Sequence, residues 1–163
     1  MEGIQIREAK REDCKAIRDL IQELADFEKM PDGPKIDAKA LEEDGFNSDR
    51  PLFYCYVATA SERIIGYTVY YYTYSTWNGK AMYLEDLYVL PEFRKKHVGS
   101  SLFKTVVKKA ADSNCCRLDF AVLNWNPARE FYKSMGAVDL TEKDGWHHFS
   151  LENVALKKLA AVK

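Results

Sequence analysis

Between Leu52 and Leu90 the sequence abandons helical spacing. Three runs, LFYCYVAT, RIIGYTVYYYTYS and KAMYLEDLYVL, are rich in aromatic and β-branched residues, with the turn-forming SER and WNGK between them. They predict three consecutive antiparallel strands, and whatever precedes and follows must cover the resulting sheet. On the N-terminal side, after an opening strand, Cys14, Ile17, Leu20, Ile21 and Leu24 recur at helical spacing, with Arg11, Glu12 or Asp13 near the start. The stretch MPDGPK, with Pro31, Gly33 and Pro34, is a loop within the domain. Asp37 then caps a short helix to about Asp44, and Gly45 stops it.

On the C-terminal side, Leu102, Phe103, Val106, Val107 and Ala110 form one helical face, with Lys104, Lys108 and Lys109 opposite. CRLDFAVLNW reads as a strand. Asn126 and Pro127 start a helix from Pro127 to Met135 that ends at Gly136. Two short strands, Val138 to Thr141 and Trp146 to Leu151, are expected to close the fold, with NVALKKLAAVK as a tail. Because a helical crossover joins Lys80–Leu90 to Arg117–Val122, those two strands run parallel if they are neighbours. The fold class is therefore α/β (α+β), a mixed central sheet flanked by helices. Ligands favour the carboxyl ends of such strands.

With 163 residues, the chain 1–163 fits one domain. Its 24 Lys and Arg against 25 Asp and Glu leave a net charge of -1, which gives no general drive toward nucleic acid or membrane. The one cationic knot, Arg94 to Lys96, is too short for an extended nucleic-acid footprint. No run approaches a membrane span and the N-terminus has no apolar leader, so a cytoplasmic protein without a membrane or nucleic-acid partner is expected. Cys14, Cys55, Cys115 and Cys116 do not form a disulfide framework, and with His97, His147 and His148 they supply no metal-ligand spacing.

Three features stand out chemically. In YLEDLYVL, Glu85 and Asp86 lie side by side inside an apolar strand, where alternation would send one carboxylate to each side of the sheet. They are paired with buried Arg or Tyr groups, or the strand is half exposed, or they are a general base and an acidic amine-binding group. Just beyond, Arg94, Lys95 and Lys96 precede Val98-Gly99-Ser100 at a helix N-terminus, where free N–H groups attract anions. Farther on, NWNPAREFYKSMGA places Tyr132 one turn after Ala128, where it reads as a core-edge aromatic.

RKKHVGS resembles the R-x-x-G-x-G/A pyrophosphate loop of acetyl-CoA-dependent N-acetyltransferases, the GNAT superfamily. YLEDLYVLPEF resembles that superfamily's central strand, and NWNPAREFYKSMGA its N-x-P-A-x-x-F-Y helix. IREAKREDC, LIQELADFEKM, LEEDGF, YYYTYSTWNGK and DLTEKDGWHHF extend the likeness over nearly the whole chain to the spermidine/spermine (diamine) N-acetyltransferases. FEKM, YSTW and DLTEKDGWH look nearer to the thialysine-acetylating branch.

The resemblance implies the GNAT fold, acetyl-CoA as cosubstrate, a small amine as substrate and a homodimer. It implies that Glu85 deprotonates the amine through water and that Tyr132 is the acid for the departing thiolate; Glu85 suits that task if burial raises its pKa toward neutrality. Leu87, Tyr88 and Val89 match the strand that holds the acetyl-pantetheine arm; Arg94, Lys95, Lys96, His97, Val98, Gly99 and Ser100 match the pyrophosphate loop. Asn126, Ala128 and Lys133 match further cofactor positions, and Phe27, Glu28, Asp119, Phe120 and Ala121 match amine positions. Glu28, Asp32, Asp86 and Asp119 are candidates to attract the substrate's remote cation. Two departures stand out: His97 occupies the place of the loop's first glycine, and the segment from Asn126 to Tyr132 is one residue shorter than in the animal diamine enzymes. A non-catalytic CoA or acyl-CoA binder and a protein-lysine acetyltransferase are the alternatives.

Overall fold

The computed structural model describes residues 3–162, and the chain divides after Ala121 into two compact units. The first unit is a five-stranded sheet with its strands in sequence order: β1 (Ile4–Glu8), β2 (Tyr54–Ala60), β3 (Arg63–Ser75), β4 (Gly79–Val89) and β5 (Leu118–Asp119). The first four are antiparallel neighbours, and β5 runs parallel to β4, as the helical crossover requires. The mixed sheet with flanking helices is as expected from the sequence.

Helix α1 (Cys14–Phe27) buries Cys14, Ile17 and Leu20, and α3 (Val98–Asp112) buries Val98, Leu102, Phe103 and Val106. Cys14, Ile17, Leu20, Val98 and Leu102 share one core with Val57, Ile65, Tyr67, Val69 and Tyr88 of the sheet. Each fully buried aliphatic contributes roughly 1.5–3 kcal/mol. Gly66 lets β3 close on β4, because a β-carbon there would lie 2.8 Å from the Tyr88 carbonyl. Asp37 caps α2 (Ala38–Gly45) by accepting from the Ala40 N–H at 2.8 Å. Arg7 of β1 holds Asp13, ahead of α1, through two hydrogen bonds of 2.6 and 3.0 Å.

Three elements differ from the sequence expectations. The segment CRLDFAVLNW forms a strand over Leu118 and Asp119 alone, opposite Met82 and Tyr83, with the flanking Cys116 N–H and Arg117 carbonyl also bonded to β4. The expected strand from Val138 to Thr141 is instead the entry to a helix, α5 (Leu140–Asp144), in the second unit. Asp139 accepts from the N–H groups of Thr141 and Glu142, and Gly145, at φ 74°, ends the helix. The expected strand from Trp146 to Leu151 forms no ladder among the described residues, and Trp146, Phe149 and Leu151 are exposed. The tail forms α6 (Asn153–Ala160).

The helix predicted from Pro127 is α4 (Ala128–Ser134), with Gly136 at φ 94° just past its end. Among the described residues no helix is long and apolar enough to cross a membrane.

Candidate active site

The register between β3 and β4 jumps within one step: Asp86 faces Val69, and Leu84 faces Tyr70. Glu85 is therefore the extra residue of a β-bulge, a feature that bends a strand and re-aims its side chains. The expectation of one carboxylate on each side of the sheet fails here. Tyr67 and Tyr71, four apart on β3 and so on one face, hold both of them. Tyr67 donates its hydroxyl to Asp86 and Tyr71 donates to Glu85, each at 2.8 Å. These tyrosines were not among the predicted site residues, although the Tyr-x-x-x-Tyr spacing in GYTVYYYTY placed them on one face.

The two carboxylates differ. Glu85 is exposed, against the expectation that burial would tune it. Burial falls on Asp86 and pushes its carboxyl up to about 6, with the nearby Glu85 and Glu28 adding to the rise and the Tyr67 hydrogen bond opposing it. Glu28, at the C-terminal end of α1, is also raised by burial. Phe27 stands next to it, with the Arg94 guanidinium 5.2 Å from its ring centre.

The pairing of β4 with β5 ends at Tyr83, two residues before the bulge. Beyond it, the Leu90 N–H bonds the Ile65 carbonyl on β3, so by alternation the backbone groups of Leu87 and Val89 point away from β3. They lie along the edge that β5 has left, where an extended chain has hydrogen-bonding groups to meet. Arg94 closes the far end of this edge: its Nε donates to the Val89 carbonyl at 2.9 Å, and its guanidinium lies 5.2 Å from the ring centre of Tyr88. Tyr88 is buried and donates to Glu23 of α1 at 3.1 Å.

The loop that follows winds tightly. Lys95 and His97 both have positive φ, 59° and 62°, and His97 is the N-cap of α3. A β-carbon in this left-handed geometry costs on the order of 1–2 kcal/mol. The first turn of α3 directs the N–H groups of Val98, Gly99 and Ser100 toward the loop. The Ser100 hydroxyl itself is turned back to the His97 carbonyl at 2.8 Å. Lys95, Lys96 and His97 are exposed, with the Lys96 ammonium 5.2 Å from the centre of the Phe93 ring. Cations beside free N–H groups at a 15-residue helix suit a pyrophosphate.

Asp119 ends β5 in an ion pair with Arg117 at 2.7 Å, and Phe120 packs edge-on against Phe103. Ala121 is exposed, and Asp32 sits in the exposed loop after α1. In the second unit, Asn126 accepts from the Ala128 N–H at 2.9 Å and so shapes the start of α4. Lys133 lies 3.5 Å from Glu142, and Arg129 binds Asp139 and Glu142. Tyr132 is buried, and burial pushes its hydroxyl up to about 12.

The acetyltransferase (GNAT) family profile matches residues 14–137, across the sheet, the loop and α4. The chain belongs to the GNAT acetyltransferases. It is 45% identical to thialysine N-epsilon-acetyltransferase of Bos taurus, over 98% of this chain and 99% of that protein. It is 38% identical to spermidine/spermine N(1)-acetyltransferase-like protein 1 of Homo sapiens, over 98% of this chain but 24% of that protein. In structure it is similar to an integron cassette protein from V. cholerae, with a TM-score of 0.80 at 24% identity over 99% of this chain and 100% of that one. The GNAT chain is thus an acetyl-CoA-dependent N-acetyltransferase, in agreement with the family read from the sequence. The open edge of β4 and the loop before α3 fit acetyl-CoA as cosubstrate.

Proposed function

We propose that the enzyme acetylates a primary amine on a short flexible arm, of the thialysine or diamine type, by direct transfer with both substrates bound together. The observation that carries this reading is the bulge at Glu85, which turns two adjacent carboxylates to one face beside the open edge of β4. An alkyl ammonium with a pKa of roughly 10.4 is almost entirely protonated at neutral pH, so the site must remove a proton. Glu85, anchored by Tyr71 yet exposed to water, takes it through a water molecule. Asp86 and Glu28 attract the ammonium, and Phe27, stacked beside Arg94, walls the entrance.

Bound acetyl-CoA supplies the thioester carbonyl: an N–C bond to the amine forms and the C–S bond to CoA breaks. Leu87, Tyr88 and Val89 provide the strand edge for the pantetheine arm, and a backbone N–H of this segment stabilises the developing oxyanion. Arg94 to Ser100 seat the pyrophosphate. Tyr132 hydrogen-bonds the leaving sulfur, and Asn126, Ala128 and Lys133 complete the cofactor contacts. Asp119, Phe120 and Ala121 extend the amine side from the end of β5.

The whole chain, 1–163, acts as one acetyltransferase domain, which the family match running across residue 121 supports. It works as a homodimer, a state supported by the exposed Trp146, Phe149, Leu151 and Val154 of the C-terminal unit. Initial rates of free-thiol release, measured while both acetyl-CoA and thialysine are varied, test the reading. Amine-dependent release with intersecting double-reciprocal lines is expected. Parallel lines contradict direct transfer, and saturable acetyl-CoA binding without thiol release makes the protein a non-catalytic binder.

A further inference from the structure

Asp86 is a half-buried carboxylate, and among the described residues no Lys, Arg or His pairs with it. The groups that face it are Glu85 on its own strand, Glu28 at the end of α1, Tyr67 and Tyr71 on β3, and the Cys55 thiol on β2. Two of these are carboxylates that oppose its ionisation. Tyr71 is engaged with Glu85, and burial raises the Cys55 thiol far above its ordinary value, so it stays neutral. One group favours the charged form: the Tyr67 hydroxyl, donated to Oδ2 at 2.8 Å. Tyr67 is fully buried, so water cannot replace this bond without rearrangement.

Building on the amine-acetylation reading, we propose that Tyr67 is a positioning residue that acts through Asp86. Its hydroxyl holds the Asp86 carboxylate in the charged, amine-attracting state and thereby sets the low-pH limit of amine acetylation. The sign is fixed by the chemistry. A donor to the ionised form lowers a carboxyl pKa, so removing it raises the midpoint and moves the acid limb to higher pH.

Tyr67→Phe keeps the ring and removes the hydroxyl. Carbon-13 NMR of the aspartate carboxyls, with Asp86→Asn to assign the signal, follows Asp86 directly and without turnover. Its midpoint is expected to rise by roughly one pH unit in Tyr67→Phe. The acid limb of kcat/KM for thialysine is expected to rise equally, costing about fivefold near pH 6, approaching tenfold below about pH 5, and less than about twofold above pH 8. In an Asp86→Asn background the tyrosine change is expected to have no further pH-dependent effect. An unmoved midpoint overturns the proposal whatever the activity, and so does a loss of rate that is equal at every pH or persists in the Asp86→Asn background. If the midpoint rises but no amine is acetylated by the unaltered protein, the failure lies with the amine-acetylation reading, and the low-pH role falls with it.

Discussion

Tyr71 donates its hydroxyl to Glu85 at 2.8 Å while Glu85 itself stays exposed. A carboxylate fixed at one oxygen and open to water at the other suits proton removal through a solvent molecule. Glu85→Gln is expected to lower kcat by roughly 10²- to 10³-fold and to make the rate climb more steeply with pH, because more of the amine must arrive already neutral. Tyr71→Phe keeps the carboxylate and loses its anchor, so a drop of about tenfold is expected. Steady-state rates from about pH 7 to about pH 9.5 check both, and an unchanged profile in Glu85→Gln rejects Glu85 as the base.

Tyr132 is a weak acid in its buried setting. With its hydroxyl at about 12 and an ordinary thiol near 8.5, full proton transfer to the leaving thiolate is uphill by about 5 kcal/mol. Its help is then a hydrogen bond, for which Tyr132→Phe is expected to cost roughly 10- to 100-fold in kcat with acetyl-CoA affinity retained. Single-turnover rates measure this. A loss beyond about 10³-fold points to full acid catalysis instead, and a loss confined to the cofactor KM makes Tyr132 a binding residue.

Histidine in a left-handed N-cap is strained. His97→Gly is expected to raise unfolding stability by about 1 kcal/mol and to leave acetyl-CoA binding as tight as before or tighter. Urea unfolding and calorimetric titration read the two quantities. A tenfold weaker Kd identifies the imidazole as a phosphate ligand that glycine cannot replace.

Asp86 trades stability for charge. Its folded-state carboxyl lies near 6, above the ordinary value of 3.8. A raised group stabilises the fold fully below its unfolded pKa, and that contribution is lost as pH rises through the folded one. From about pH 4 to about pH 7 this costs about 2 to 3 kcal/mol. Asp86→Asn is therefore expected to raise Tm at about pH 8 and to change it little at about pH 4, while reducing amine acetylation. Thermal unfolding at the two pH values checks it, and an equal shift at both contradicts the assigned titration.

The β2–β3–β4 meander was legible because its runs are rich in aromatic and β-branched residues with SER and WNGK between them, and α1 and α3 because their apolar faces repeat at helical spacing. The bulge was not legible. Alternation read through YLEDLYVL assumes one residue per register step, and only the pairing with β3 reveals that Glu85 is extra. The same blindness hid Tyr67 and Tyr71, whose hydroxyls matter through partners 19 and 14 residues away. Around α5 the signal was present but misread. Asp139, Glu142 and Gly145 spell a helix start and stop, and the apolar Val138 and Leu140 beside them suggested a strand. The short β5 follows from its partner, because β4 bends at the bulge and a parallel neighbour cannot track it.

Small-amine acetylation through Glu85 is tested by a competition for limiting acetyl-CoA among thialysine, spermidine, spermine, a simple diamine and a lysine-containing peptide, read by product mass. A free small amine is expected to carry the acetyl group, with thialysine or a diamine taking most of it and Glu85→Gln suppressing every product together. Acetylated peptide in excess over all the small amines contradicts it.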